Sequence, residues 1–196
     1  ITVAQANGMA GLSSNMVMFG WPGENHLDRL ARLLGLVRRM NGLEKSSMIV
    51  RPVKGSRSKG DGQIVVWWKG KENNGDMMLL LAHLLSLAPG WRSNRVVLKS
   101  VADDCDAADA VHRAFESMFP DLRMDVQLEV ILCPQDQSHL AVIRNASQRA
   151  DLVFMGMAVP EAGEELAYAE GLMSLLDGLP STILVRNASR FHGRLV

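Results

Sequence analysis

Few side chains in this sequence are of types that do covalent chemistry, and their spacing suits it poorly. Cys105 and His112, and Cys133 and His139, are the two cysteine–histidine neighbourhoods, seven and six positions apart. Zinc sites recur with tighter ligand pairs, so no metal is expected. Cys133 closes an apolar run and reads as a buried free thiol. His83 lies inside the apolar stretch Leu80–Leu85, where a hydrogen-bonded structural histidine is the expectation. Asp103, Asp104, Asp106 and Asp109 open a helix, as do Glu161, Glu164 and Glu165. Carboxylates there complement the helix dipole. No serine sits in a G-x-S-x-G elbow, and no nucleophile, base and orienter can be read from the residue order. The expectation is a protein that is not an enzyme, with no catalytic residue.

One loop has the makings of an anion site. Gly70 to Asp76 joins a strand to a helix, and Asn73, Asn74 and Gly75 stand where free N–H groups open that helix. Lys69 and Lys71 add positive charge. The loop matches neither G-x-G-x-x-G nor G-x-x-x-x-G-K-[ST]. Asn73, Asn74 and Gly75 are therefore weak anion candidates, with Asn74 as a helix cap the plainer reading. Lys59-Gly60 in the segment Lys54–Gly62 also lacks the order that aims a lysine at phosphate, and this polar segment reads as a linker.

The elements that must position these residues alternate between strand and helix patterns. Apolar runs predict strands at Met16–Phe19 and Met48–Val50. The stripe Leu27, Leu30, Leu33, Leu34, Val37, Met40 predicts a helix between them, capped by Asn25 and closed by Gly42. After the linker come strands at 64–68, 95–98, 126–132, 152–155 and 182–185. They alternate with helices at 77–87, 107–119, 140–150 and 164–176. Five strands alternating with four helices predict an α/β fold: a mostly parallel five-stranded sheet with helices on both faces. Right-handed crossovers give strand order 3-2-1-4-5, with residues 64–68 central. Trp67 and Trp68 then point to opposite, buried faces.

The first 51 residues carry a partial second copy, a β-α-β piece. Asn15–Gly20 resembles Asp151–Gly156, and Gly42 through Arg51 resembles Gly178 through Arg186. The offset is 136 at the glycines and 135 at the arginines. The organisation read from this is residues 1–53 as the C-terminal part of a first α/β subdomain, 54–62 as linker, and 63–196 as a complete second subdomain. A β-α-β piece exposes a sheet edge, so it is expected to need another element or a second copy of the chain.

Composition narrows the classes. The 196 residues carry 21 Lys plus Arg against 21 Asp plus Glu, so net charge is zero. Nucleic-acid binders need a basic face, and none is expected to bind. No apolar run nears the roughly 18 residues of a membrane helix, so this segment is not expected to insert in a bilayer. Ile1–Ala10 lacks the basic start and apolar core of a signal peptide. Two cysteines make no disulfide framework, and a reducing compartment is the simpler reading.

The block Ile64-Val65-Val66-Trp67-Trp68, Gly75, Met77–Leu85 and Trp91 resembles a signature of the cation–chloride cotransporters, in their cytoplasmic C-terminal domain. Gly11-Leu12 with Asn15–Gly20, Ala150–Gly156, and Gly178-Leu179-Pro180 through Val185-Arg186 resemble flanking blocks of that family. The sequence departs from it at Val65 (Asp in many members), Asn74 (the first glycine of the turn) and Ser14 (proline). There is no room for the long insertions and phosphorylation segments of animal members, which suggests a compact prokaryotic one.

The resemblance implies a universal-stress-protein-like fold and a non-catalytic regulatory and dimerisation domain without a cofactor. It implies attachment to a transmembrane transporter domain on the cytoplasmic side of the cell membrane, and a homodimer. The alternative is a nucleotide-binding stress-protein-like sensor. ATP-binding stress proteins carry Gly-x2-Gly-x9-Gly-Ser/Thr after the fourth strand. The matching stretch here starts at Gly156, continues with Met157, Val159 and Pro160, and next has glycines at Gly163 and Gly171, followed by Leu172. Useful ATP binding is not expected.

Overall fold

The computed structural model describes residues 8–9, 12–23, 26–55, 62–69, 74–118 and 125–188. Two short antiparallel strands, β1 (Gly8–Met9) and β2 (Leu12–Ser13), come first. They precede β3 (Met16–Gly20), α1 (Leu27–Gly42), β4 (Ser46–Arg51), β5 (Gln63–Trp67) and α2 (Asn74–Ser86). Next are β6 (Arg95–Ala102), α3 (Cys105–Met118), β7 (Val126–Leu132) and α4 (His139–Ser147). The chain closes with β8 (Leu152–Gly156), α5 (Glu165–Leu176) and β9 (Thr182–Arg186). Strands β3 to β9 form one seven-stranded sheet in the order β3-β4-β9-β8-β5-β6-β7. All its pairings are parallel except β4 with β9.

The order expected for the five later strands is present, with β5 between β8 and β6. These strands do not form a sheet of their own, however, because β4 and β3 continue it beyond β9. Apolar side chains on both sides of β5 and β8 explain why these strands lie inside: Ile64, Val65, Val66, Val153 and Phe154 are all buried.

Helices cover the sheet on both faces. On one face α1, α4 and α5 enclose Ile49, Val65, Trp67, Val153, Met155 and Leu184. On the other, α2 and α3 enclose Ile64, Val66, Trp68, Leu98, Leu152 and Phe154. Trp67 and Trp68 thus fall in different cores, as period-two alternation requires. The Trp67 indole donates to Ser147 Oγ at 2.9 Å. Trp68 meets Phe115 edge-on, at 6.5 Å between centroids. The buried stripe of α1 is Leu30, Leu34, Val37 and Met40, and this helix packs against α5.

Around the antiparallel seam the pairing is regular. Ile49 lies opposite Leu184, with Met48 opposite Val185 and Val50 opposite Ile183. The parallel pairs flanking the seam share a register: Met18 faces Met48 and Gly20 faces Val50, while Phe154 faces Ile183 and Gly156 faces Val185. Trp21 N–H donates to Val50 O, and Met157 N–H donates to Val185 O, both at 2.9 Å.

Some local boundaries differ from expectation. Helix α2 begins at Asn74, three residues before its first core side chain, Met77. Strand β6 runs on to Ala102 because β7 pairs with it along its whole length. Gly42 is the last residue of α1, and the turn after it is made by Glu44 at φ 53°. Asn25, expected to cap α1, lies outside the described residues, as do 56–61 of the linker.

Candidate functional site

In a parallel sheet the ligand end is where strands finish and helices start. Here that is the meeting point of β8, β9 and the N-terminus of α2. Asn74, the first residue of α2, carries its carboxamide across this gap. Its Nδ2 donates to Met157 O at 3.3 Å, and its Oδ1 accepts from Asn187 N–H at 2.9 Å. Ser46 Oγ extends the network, donating to Asn187 Oδ1 and accepting from Ala188 N–H. The side chain of Asn74 therefore ties α2 to the ends of β8 and β9 and fills the space above Gly156. A Cβ on Gly156 would lie 2.9 Å from Asn74 Nδ2. Gly75 is buried against the Trp68 indole, where a Cβ would lie 2.7 Å from Nε1. Glycine is required there for close approach. Asp76 adds a carboxylate to the first turn, where it already complements the helix dipole. Asn73 lies outside the described residues.

Four N–H groups of the loop from β8 to α5, those of Met157, Ala158, Gly163 and Glu164, are in use within the chain. Besides Met157 N–H, Ala158 N–H donates to Tyr168 Oη at 2.9 Å, Gly163 N–H to Glu165 Oε2 at 2.8 Å, and Glu164 N–H to Glu161 O at 3.1 Å. The Met157 side chain is buried in the core below α5. The Glu165 carboxylate also forms an ion pair with Arg38 of α1. Its own backbone N–H, the N–H of Gly163 and the Arg38 guanidinium hold this carboxyl below its usual range, against a smaller opposing effect of burial. Burial pushes the Tyr168 hydroxyl above its usual value; Ala158 N–H and Arg186 pull it back in part. Arg32, Arg38, Arg39, Gly163 and Glu165 line an open cavity of about 530 Å³ between α1 and α5.

The remaining candidates stand apart. Asp104 caps α3 by accepting Ala107 N–H at 2.7 Å, as a helix-opening acid does. Asp103 meets His139 Nε2 at 2.6 Å on the surface. Cys133 is partly exposed rather than buried, because β7, which it follows, is an edge strand. Cys105 is exposed. Among the described residues no three His, Cys, Asp or Glu side chains are grouped to hold a metal ion. No described helix is long and apolar enough to cross a membrane.

Asn187, Ser46, Tyr168 and Arg38 are not singled out by the sequence, and Glu165 is read there only as a helix-opening acid. Their partners are 10 to 141 positions distant, and a single sequence carries no signal for such pairings, though Tyr168 is the chain's one tyrosine.

No family model matches the chain. Among solved structures, it is similar to the cytoplasmic domain of a prokaryotic cation chloride cotransporter, at TM-score 0.63 and 14% identity. That match covers 91% of this chain and 66% of the other. It is also similar to a universal stress protein from Archaeoglobus fulgidus, at TM-score 0.53 and 18% identity, covering 89% of this chain and 62% of the other. The chain thus spans less than two thirds of either protein's length. At such identities the likeness establishes the fold: an α/β, universal-stress-protein-like domain.

Proposed function

We propose that this chain is a non-catalytic regulatory and dimerisation domain of a cation–chloride cotransporter, held on the cytoplasmic side of a membrane by an attached transporter domain. The observation that carries this reading is the loop from β8 to α5. Three of its amides, groups of the kind a nucleotide's phosphates would need, bond to Val185, Tyr168 and Glu165 instead. A scaffold with its ligand end satisfied internally acts through contacts, biasing the conformations of whatever it is joined to. The likeness to a cotransporter's cytoplasmic domain and the Trp67-Trp68 block support the same assignment.

Within this reading, β3-α1-β4 is a partial copy of β8-α5-β9. The identical strand registers and the matching Trp21 and Met157 amide bonds support this, and so does the seam. At an offset of 135, Ile49 corresponds to Leu184, the residue it faces. An antiparallel pair of equivalent strands centred on equivalent residues is what a local two-fold axis requires.

Ion uptake by vesicles containing the full protein that bears this chain tests the assignment. Rubidium uptake that requires chloride is expected, and its rate should change on Trp68→Ala. Uptake indifferent to chloride would overturn it. The alternative, a nucleotide sensor, has the likeness to a universal stress protein in its favour and is answered by nucleotide binding.

A further inference from the structure

The open cavity between α1 and α5 is unevenly charged. Three arginines, Arg32, Arg38 and Arg39, line it against one carboxylate, Glu165. Glu165 is already committed: it accepts Gly163 N–H and pairs with Arg38. These contacts favour its ionised form, so it offsets one guanidinium charge and leaves the others in excess. Arg38 Nη1 is shielded from solvent and has no hydrogen bond beyond that ion pair. Arg32 and Arg39 are exposed, and among the described residues they make no side-chain hydrogen bond or ion pair.

Gly35 also lines the cavity, from within α1, where glycine weakens a helix relative to alanine. Packing does not demand it: a Cβ there would meet nothing closer than Glu165 Oε1 at 3.9 Å, an ordinary contact. What a longer side chain would take is the space between Arg32 and Arg39. Those two lie on one face of α1, about 10 Å apart along its axis. The wall between them is apolar, from Leu36 on α1 and Leu166 on α5, the latter 46% exposed. Two cationic ends with an apolar middle prescribe the ligand. A compact anion such as phosphate reaches one arginine and leaves the leucines wet. A carboxylate matches the planar guanidinium fork, and a hydrocarbon chain covers the leucines.

We propose that this cavity binds a small organic dianion, a dicarboxylate with an apolar chain, its two carboxylates on Arg32 and Arg39 and its chain over Gly35 between Leu36 and Leu166. A ligand so placed touches both α1 and α5 and stabilises their contact. The assignment does not depend on the cotransporter reading.

Heteronuclear NMR titration of the whole chain with adipate, and in parallel with malonate and inorganic phosphate, tests this. Adipate should saturate with a dissociation constant of about 0.1–1 mM, and its shifts should centre on the Gly35, Leu36 and Leu166 amides. Malonate, too short to span the arginines, and phosphate should bind at least about tenfold more weakly. Arg32→Gln and Arg39→Gln should each weaken adipate about tenfold. Arg29→Gln removes an exposed charge from the same helix outside the cavity and should change the affinity by no more than about twofold. Gly35→Leu should abolish binding with an unchanged circular dichroism spectrum. Absence of saturation by about 20 mM adipate, equal affinity for adipate and phosphate, or equal losses on Arg29→Gln and Arg32→Gln overturns the proposal. Chloride-dependent uptake by the full protein reports on the cotransporter reading alone, so the two assignments fail separately.

Discussion

The units β3-α1-β4 and β8-α5-β9 share register, amide pattern and helix placement, but they differ in what lies above their second face. Over β8 and β9, α2 closes the face: Phe154 is 2% exposed, and Asn74 stands on Gly156. Over β3 the corresponding positions are open: Met18 is 67% exposed, and a Cβ on Gly20 would meet nothing within 4 Å. Identical backbone pairing thus leaves one unit closed on its second face and the other open at its outer strand.

Substitution at the covered core should show the largest effect. Trp67→Ala or Trp68→Ala removes a ring buried in one of the two cores and should cost about 3–5 kcal/mol. Met18→Ala should cost about 0.5 kcal/mol or less in the monomer. Chemical denaturation of the variants measures both, and equal losses would erase the distinction between the units.

The glycine pair sharpens it. Gly75→Ala places a methyl against the Trp68 indole and should cost about 1–3 kcal/mol. Gly156→Ala should cost less, since the Asn74 side chain can move by a few tenths of an ångström. Gly20→Ala, its counterpart, should be neutral or slightly stabilising, because Ala is stiffer in the unfolded chain. Next comes Asn74→Ala, which leaves Asn187 N–H and Met157 O without their partner and should cost about 1–3 kcal/mol. The thermal midpoint reports each of these.

The smallest effect concerns pH. The Glu165 carboxyl is held below its usual 4.5 in the fold. Its contribution is therefore present above pH 4.5 and lost as pH falls through the lower, folded value. The wild-type thermal midpoint should drop more steeply below pH 4.5 than that of Glu165→Gln, and parallel curves would mean the Arg38 and Gly163 contacts contribute nothing. Tyr168 works in the opposite sense. Its raised value makes the fold lose stability as pH climbs past 10.

Much of this architecture is legible in the sequence because it is written in local periodicity. The apolar runs at Ile64–Trp68 and Leu152–Met155 name buried strands, and the βα alternation with right-handed crossovers leaves few orders for them. The repeat between Asn15–Gly20 and Asp151–Gly156 points to the unit that joins the sheet at β9. What the sequence withholds is set by long-range contact. Asn74 reads as a helix cap from its neighbours alone, and only its distance to Met157 and Asn187 reveals it as a tie across three elements. Cys133 reads as buried because its strand is apolar, but burial depends on the strand's place in the sheet, and β7 is at the edge. Burial of β4 between β3 and β9 likewise comes from pairing, which hydropathy does not specify.

The central claim is that the ligand end of the complete α/β unit is filled by the chain's own side chains, leaving contact rather than nucleotide sensing as its means of action. Calorimetry of the chain with ATP and with ADP, magnesium present, tests this most directly. No heat of binding is expected up to about 1 mM nucleotide, a ceiling of about −4 kcal/mol in affinity. A dissociation constant in the low micromolar range, about −8 kcal/mol, would contradict the account and make the chain a nucleotide sensor.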